Sequence, residues 1–147
     1  MKKIAAMGLA GALAMASTVA VAVKPEDAID YRQGVFQAIK WHFGTMGAMV
    51  KGKMDYDADD FTRRAEIVSQ LSHLPWEGFV EGSYSGDTDA LPAIADNWDK
   101  FEGGSNMLME KTAALATAAK TGDMDQIRPA FGEVGKTCKG CHDNFKD

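Results

Sequence analysis

The chain is poor in the residues that would steer it toward most architectures. It has only two cysteines and three histidines in 147 residues, so neither a disulfide framework nor a multi-cysteine metal scaffold is available. Only four prolines interrupt it, and no run of alternating apolar and polar residues marks a strand before the C-terminal segment. Beyond the first twenty or so residues there is no apolar stretch long enough to span a bilayer. Positive charge is in deficit: 16 Lys and Arg against 21 Asp and Glu give a formal charge of −5. That balance disfavours nucleic acid and anionic lipid as partners.

The first residues read as a secretory signal. Lys2 and Lys3 precede an apolar run from Ile4 to Ala16, and Ala20-Val21-Ala22 is an A-x-A pattern, so cleavage is expected after Ala22. Thr18-Val19-Ala20 is the alternative site. On this reading residues 1–22 are removed and 23–147 form one domain. Losing Lys2 and Lys3 takes the formal charge to −7. About 125 residues remain, enough for one hydrophobic core.

The remainder reads as four amphipathic helices. Pro25, Glu26 and Asp27 suit a helix start. Ile29, Phe36, Phe43 and Val50 then recur every seventh residue, with Ile39 and Met46 between them, until Gly52. A second helix is predicted over 57–73, capped by Asp57, with Phe61, Ala65, Val68 and Leu71 on its apolar face and Pro75 as its stop. A glycine-rich loop over 75–91 carries Trp76 and Phe79, expected to pack over an open end. The third helix starts near Pro92 with Ile94, Trp98, Phe101, Leu108 and Leu115 on its stripe. Gly103-Gly104 predicts a bend or loosening there. After the reversal at Thr121-Gly122-Asp123, the fourth helix buries Ile127, Phe131, Val134, Cys138, Cys141 and Phe145, with a kink or a lost hydrogen bond at Pro129. One long and two short connections give an all-α, antiparallel up-down-up-down four-helix bundle.

The two cysteines are not scattered: Cys138-Lys139-Gly140-Cys141-His142 is the C-x-x-C-H attachment signature of c-type haem. Two thiols form thioethers with the porphyrin, and the adjacent imidazole binds iron. Positions i, i+3 and i+4 put all three side chains on one helix face. The competing readings are weaker. A thioredoxin-like C-x-x-C wants a βαβ context. Zinc needs two more ligands, with only His42 and His73 left as histidines. A plain disulfide leaves His142 unexplained. The bundle therefore carries covalently bound haem, one per subunit.

Several segments together resemble the cytochrome c prime family, the class II c-type cytochromes. They are Lys24-Pro25-Glu26-Asp27, Tyr31-Arg32-Gln33, Leu74-Pro75-Trp76, Phe131-Gly132-Glu133-Val134-Gly135, and Cys138 through Phe145. The resemblance covers essentially all of 23–147. It implies a five-coordinate, high-spin haem c with His142 as sole axial ligand, Arg32 and Gln33 near the haem propionates, and Phe36 over the distal position. It also implies contact of Asp87 and Thr88 with the haem edge, a homodimer built from the first two helices, and binding of nitric oxide and carbon monoxide. Haem attachment outside the bacterial cytoplasmic membrane implies a periplasmic protein. Two departures stand out. The family often has Trp right after the Pro-x-Ile of the third helix, where this chain has Ala95 and then Trp98. Many members carry Arg four residues past the ligating His, where this chain has Lys146, which keeps the charge and loses the planar fork.

Taken by themselves, Phe36 is a core residue of the first helix and Arg32 a solvated or carboxylate-paired cation one turn earlier. As rival sixth ligands, His42 lies about 9 Å along the helix from Phe36 and Met46 about 15 Å. No Met occurs between Lys24 and Thr45, and Met107 and Met109 read as core filler. The leading function is therefore a gas-binding haem protein. The alternative is a low-spin electron-transfer cytochrome with an upstream sixth ligand and an unidentified redox partner. No distal acid–base pair is evident, so enzymatic activity is not expected. Additional apolar residues in the first two helical segments, including Met49, Met54 and Ile67, support the homodimer.

Overall fold

The computed structural model describes residues 23–147. The proposed signal segment 1–22 and its cleavage site lie outside the described residues. Five α-helices follow in order: α1 (Pro25–Val50), α2 (Ala58–Leu71), α3 (Ala93–Asp96), α4 (Trp98–Ala119) and α5 (Met124–Phe145), with a 3-10 turn at Pro75–Gly78. The four long ones form the antiparallel bundle.

Local chemistry sets the ends. Pro25 opens α1, with Glu26 and Asp27 in its first turn. Asp57 caps α2 by accepting from the Asp60 amide at 2.9 Å, and Asp123 caps α5 by accepting from that of Asp125 at 2.9 Å. Each such cap contributes about 1 kcal/mol. Gly78 is required by close approach: a Cβ there would stand 2.8 Å from the Ala28 carbonyl oxygen and 2.9 Å from Arg32 Cβ. Only glycine lets the 3-10 turn close against α1.

Three expectations are corrected. The third helix does not run on from Pro92. Asn97, at φ −131° and ψ 42°, separates the single turn α3 from α4. Across that break the apolar register slips, so Trp98 is 41% exposed rather than part of the stripe. Gly103-Gly104 lies inside the uninterrupted α4. By contrast, Pro129 lies inside α5, where it removes a single hydrogen bond, one of the two effects expected of it.

α1 packs on α2, α2 on α4 and α4 on α5, while α1 and α5 meet sparingly. Their firmest contact is Phe43 stacked on Phe131, with ring centroids 4.1 Å apart and planes 6° off parallel. Met46, Phe61, Ala65, Val68, Leu115 and Ile127 are fully buried in the main core. Each of the larger side chains contributes about 1.5–3 kcal/mol. A smaller core of Ile94, Phe101 and Phe145 gathers at the other end, against Trp76 and Phe79.

Candidate haem site

Between the two cores, where α1 and α5 diverge, lies a cavity of about 760 Å³. Both cores line it, through Ile39, Val68, Leu108 and Val134 on one side and Ile94, Phe101 and Phe145 on the other. Cys138, Cys141 and His142 all reach it from α5. Neither cysteine is in a disulfide. Burial pushes both thiols above their ordinary pKa, Cys138 adding to the effect on Cys141. Partial burial pulls His142 down, aided by Lys146 and opposed by Asp143. The direction of the shift favours the neutral imidazole, the form that binds metal. Among the described residues no group of three or more His, Cys, Asp or Glu side chains is gathered that could hold a bare metal ion.

α1 supplies the facing wall. Phe36 lines the cavity. It stands edge-on to Trp76 with centroids 5.8 Å apart and to Phe79 at 6.4 Å. Trp76 is fixed in turn by its Nε1–H, which donates to the Ser72 carbonyl at 2.6 Å. The loop aromatics therefore close the end of the bundle as the sequence suggests. Ser72 and Thr112 are the buried hydroxyls of the wall, and both stay close to backbone carbonyls: Ser72 Oγ is 2.7 Å from the Ser69 oxygen and Thr112 Oγ1 2.9 Å from that of Leu108.

Arg32 and Gln33 are at the cavity rim, and both hold the loop. Arg32 is buried, with both terminal nitrogens donating to loop oxygens over residues 78–88. Gln33 Nε2 donates to the Asp87 carbonyl at 2.8 Å. Thr88 lines the cavity. Asp87 does not, and touches the site only through Gln33. Asp89 stands on the wall in its place and pairs with Lys146 at 2.7 Å. Lys146 holds that carboxyl below the usual carboxylate range. Backbone bonds complete the join: Leu91 N donates to the Phe145 carbonyl at 3.0 Å and Asp147 N to that of Asp89 at 2.9 Å. Residues 87–91 thus form a strap from α1 to the end of α5.

The rival ligands are elsewhere. His42 lies 3.4 Å from Arg64 Nη1, away from the cavity, and His73 is exposed. Met46 and Met49 are buried in the main core, so Met49 is not available to a partner subunit as expected. Met107, expected as core filler, is 44% exposed. Sequence reasoning missed Gly104, where a Cβ would stand 3.9 Å from Cys141 Sγ. Its signal was present: Gly104 falls between Phe101 and Leu108 on the buried stripe, so the smallest residue marks space left open. Asp89 gave no signal, because its partner is 57 positions away in sequence.

Two thiols and a neutral imidazole on one helix face, opening into a largely apolar cavity, fit a covalently attached haem. The family model described as Cytochrome C' matches residues 27–146. A cytochrome c' of Halomonas halodenitrificans is 45% identical over 129 residues, covering 84% of this chain and 98% of that protein. Among solved structures, cytochrome c prime from Shewanella frigidimarina superposes with a TM-score of 0.83 at 48% identity, covering 84% of this chain and 97% of that one. A nitric oxide complex of a variant cytochrome c prime from Alcaligenes xylosoxidans superposes with a TM-score of 0.80 at 38% identity, covering 86% and 98%.

Proposed function

The chain belongs to the cytochrome c' family, whose members carry a covalent haem c in each subunit, and from that membership we propose a five-coordinate, gas-binding haem protein of the periplasm. Cys138 and Cys141 take the thioether bonds and His142 the proximal iron position. Haem supplies an iron atom on which a diatomic ligand or an electron is held. The chain supplies a wall that offers nothing to the sixth position. That wall carries the reading: among the described residues lining the cavity, His142 is the sole imidazole, and there is no thioether. Phe36 has no lone pair to give. Nitric oxide and carbon monoxide depend little on a distal donor, and the committed hydroxyls of Ser72 and Thr112 leave bound oxygen without one. The nitric oxide complex of the Alcaligenes xylosoxidans relative supports the same ligand class here.

Assembly as a homodimer is part of this reading. The outer face of α1 presents a shallow groove of Gly34, Ala38, Trp41, Thr45 and Ala48 beside Met54, with Trp41 72% exposed. Residues 1–22 read as the export signal that directs the protein to the periplasm. No helix among the described residues is long and apolar enough to cross a membrane. The visible absorption spectrum of the purified protein, oxidised, reduced and reduced under carbon monoxide, tests the coordination. High-spin bands in both oxidation states and a new band with carbon monoxide are expected. Low-spin bands unaffected by the gas would instead establish the six-coordinate electron carrier.

A further inference from the structure

Building on the homodimer reading above, we propose that His42 makes the dimer a pH-sensitive assembly, which forms while the imidazole is neutral and separates when acid protonates it. The outer face of α1 suits a second copy of itself. Gly34, Ala38, Trp41, Thr45 and Ala48 alternate steps of four and three residues, the seam by which one helix packs along another. All five line the groove, and Trp41 is its one large, strongly exposed side chain. Under a twofold axis each indole can seat among the small residues of the opposite subunit.

A twofold interface brings the same patch together twice, so its charges are doubled rather than complemented. The ionisable residues lining this groove are Lys40 and His42, with no carboxylate among them. Lys40 is exposed, and its flexible stem carries the ammonium to water. His42 is half-buried and has no such freedom.

Behind His42 stands α2. Arg64 Nη1 lies 3.4 Å from His42 Nδ1. A guanidinium only donates, so this approach suits a ring nitrogen with a free lone pair, as in the neutral imidazole. Asp60 accepts from Arg64 Nε at 2.6 Å and pairs with Arg63 as well. Among the described residues the charged groups acting on His42 are Arg64, Arg63 and Asp60, all on α2. The one carboxylate is therefore shared by two guanidinium groups. Burial, then Arg64 and Arg63, draw the His42 pKa below the ordinary histidine value, against the opposing pull of Asp60.

Dimer formation buries the groove further, and desolvation disfavours the protonated ring. The second copy of the groove adds cationic groups and no carboxylate. Both effects make the dimer bind protons less readily than the monomer. Dissociation therefore takes up protons, up to one per subunit. Affinity is fully present above the monomer's His42 pKa and is lost as pH falls below it.

Sedimentation equilibrium of the mature holoprotein from pH 7.5 to pH 5.0, at fixed ionic strength, tests this. Ordinary carboxylates stay largely ionised over that range. The dimer dissociation constant should rise at least about tenfold between the two ends, since uptake of two protons allows up to about a hundredfold per pH unit. His42→Gln keeps an acceptor for Arg64 and cannot titrate, so its constant should stay within about twofold across the range. His42→Lys carries a fixed charge and should be as weak a dimer at pH 7.5 as wild type is at pH 5.0. Persistent pH dependence in His42→Gln, or a tight dimer of His42→Lys, would overturn the proposal. His73→Gln should follow wild type, and a flat profile there would assign the dependence to His73 instead and overturn it too. Should the His42 variants not fold, heats of dilution of wild type at pH 6 in buffers of different ionisation enthalpy report proton uptake directly, and none would be decisive against the switch. A monomer at every pH defeats the homodimer reading and the switch with it, whereas a dimer of constant affinity leaves that reading standing and defeats the switch alone.

Discussion

Replacing Phe36 by Ala should raise carbon monoxide affinity and association rate by about one to two orders of magnitude. The estimate follows from what holds the ring in place. Phe36 makes two edge-on aromatic contacts, with Trp76 at 5.8 Å and Phe79 at 6.4 Å. Each such pair is worth about 0.5–1.5 kcal/mol beyond simple burial. A ligand that needs the ring displaced gives up about 1–3 kcal/mol, and about 1.4 kcal/mol is tenfold. Truncation removes that cost in advance. It also destabilises the fold by about 2 kcal/mol, less than for a fully buried Phe because this ring is only half-buried. A domain stable by about 5–15 kcal/mol survives such a loss. Flash photolysis and equilibrium titration of the ferrous protein give the rate and the affinity, and the spectrum shows whether water has become a sixth ligand. Unchanged carbon monoxide binding in a folded, haem-loaded variant would show that Phe36 is ordinary core.

Haem should resist acid-acetone extraction from the wild-type protein and come free from the Cys138→Ala, Cys141→Ala double variant; free extraction from correctly matured wild type would end the covalent assignment. Sedimentation equilibrium at micromolar concentration should give about twice the mature monomer mass, and Trp41→Glu should shift it toward the monomer. A strictly monomeric wild type would remove the homodimer and leave the bundle intact. The Asp60 carboxyl is held below the usual carboxylate range by Arg64 and then Arg63. A depressed native pKa means that its stabilisation is fully present above the unfolded value of about 3.9 and fades as pH falls through the lower native value. Asp60→Asn should therefore cost up to about 1 kcal/mol in denaturant titration at pH 7 and progressively less below pH 4; an equal cost at pH 7 and pH 2 would disprove the linkage.

Local rules predicted what is locally determined. The caps at Asp57 and Asp123, the sevenfold stripe of α1 and the shared face of Cys138, Cys141 and His142 each depend on residues within two turns of one another. Misreadings arose where distant chain segments decide. Arg32 is surrounded by loop oxygens 46 to 56 positions later, so nothing within its own helix announces its burial. Asn97 broke the apolar register that periodicity carried straight through to Trp98. Pro129 and Gly103-Gly104 carry helix-breaking propensity, but packing of α5 on α4 outweighs a cost of roughly one hydrogen bond or about 1 kcal/mol per glycine. The loop contribution was expected from Asp87 and Thr88; Thr88 lines the cavity, while Asp87 faces away from it and Asp89, exposed and paired with Lys146, stands at its edge.

The strap is fastened at one end to α1 and at the other to the residues just past His142. Any outward displacement of α1 therefore strains the same few bonds that hold the end of α5. Coupling of this kind is reciprocal: whatever loosens the Asp89–Lys146 fastening changes ligand affinity by the same factor by which the ligand loosens it. An exposed ion pair contributes about 0.5 kcal/mol, negligible against the stability of the whole fold. Were it transmitted in full through the strap, that increment would be a roughly twofold change in occupancy at low gas concentration. A contact too weak to matter for folding is thus placed where the protein's sensitivity to its ligand can be adjusted by salt, by acidity or by a single surface substitution, without altering the wall the ligand meets.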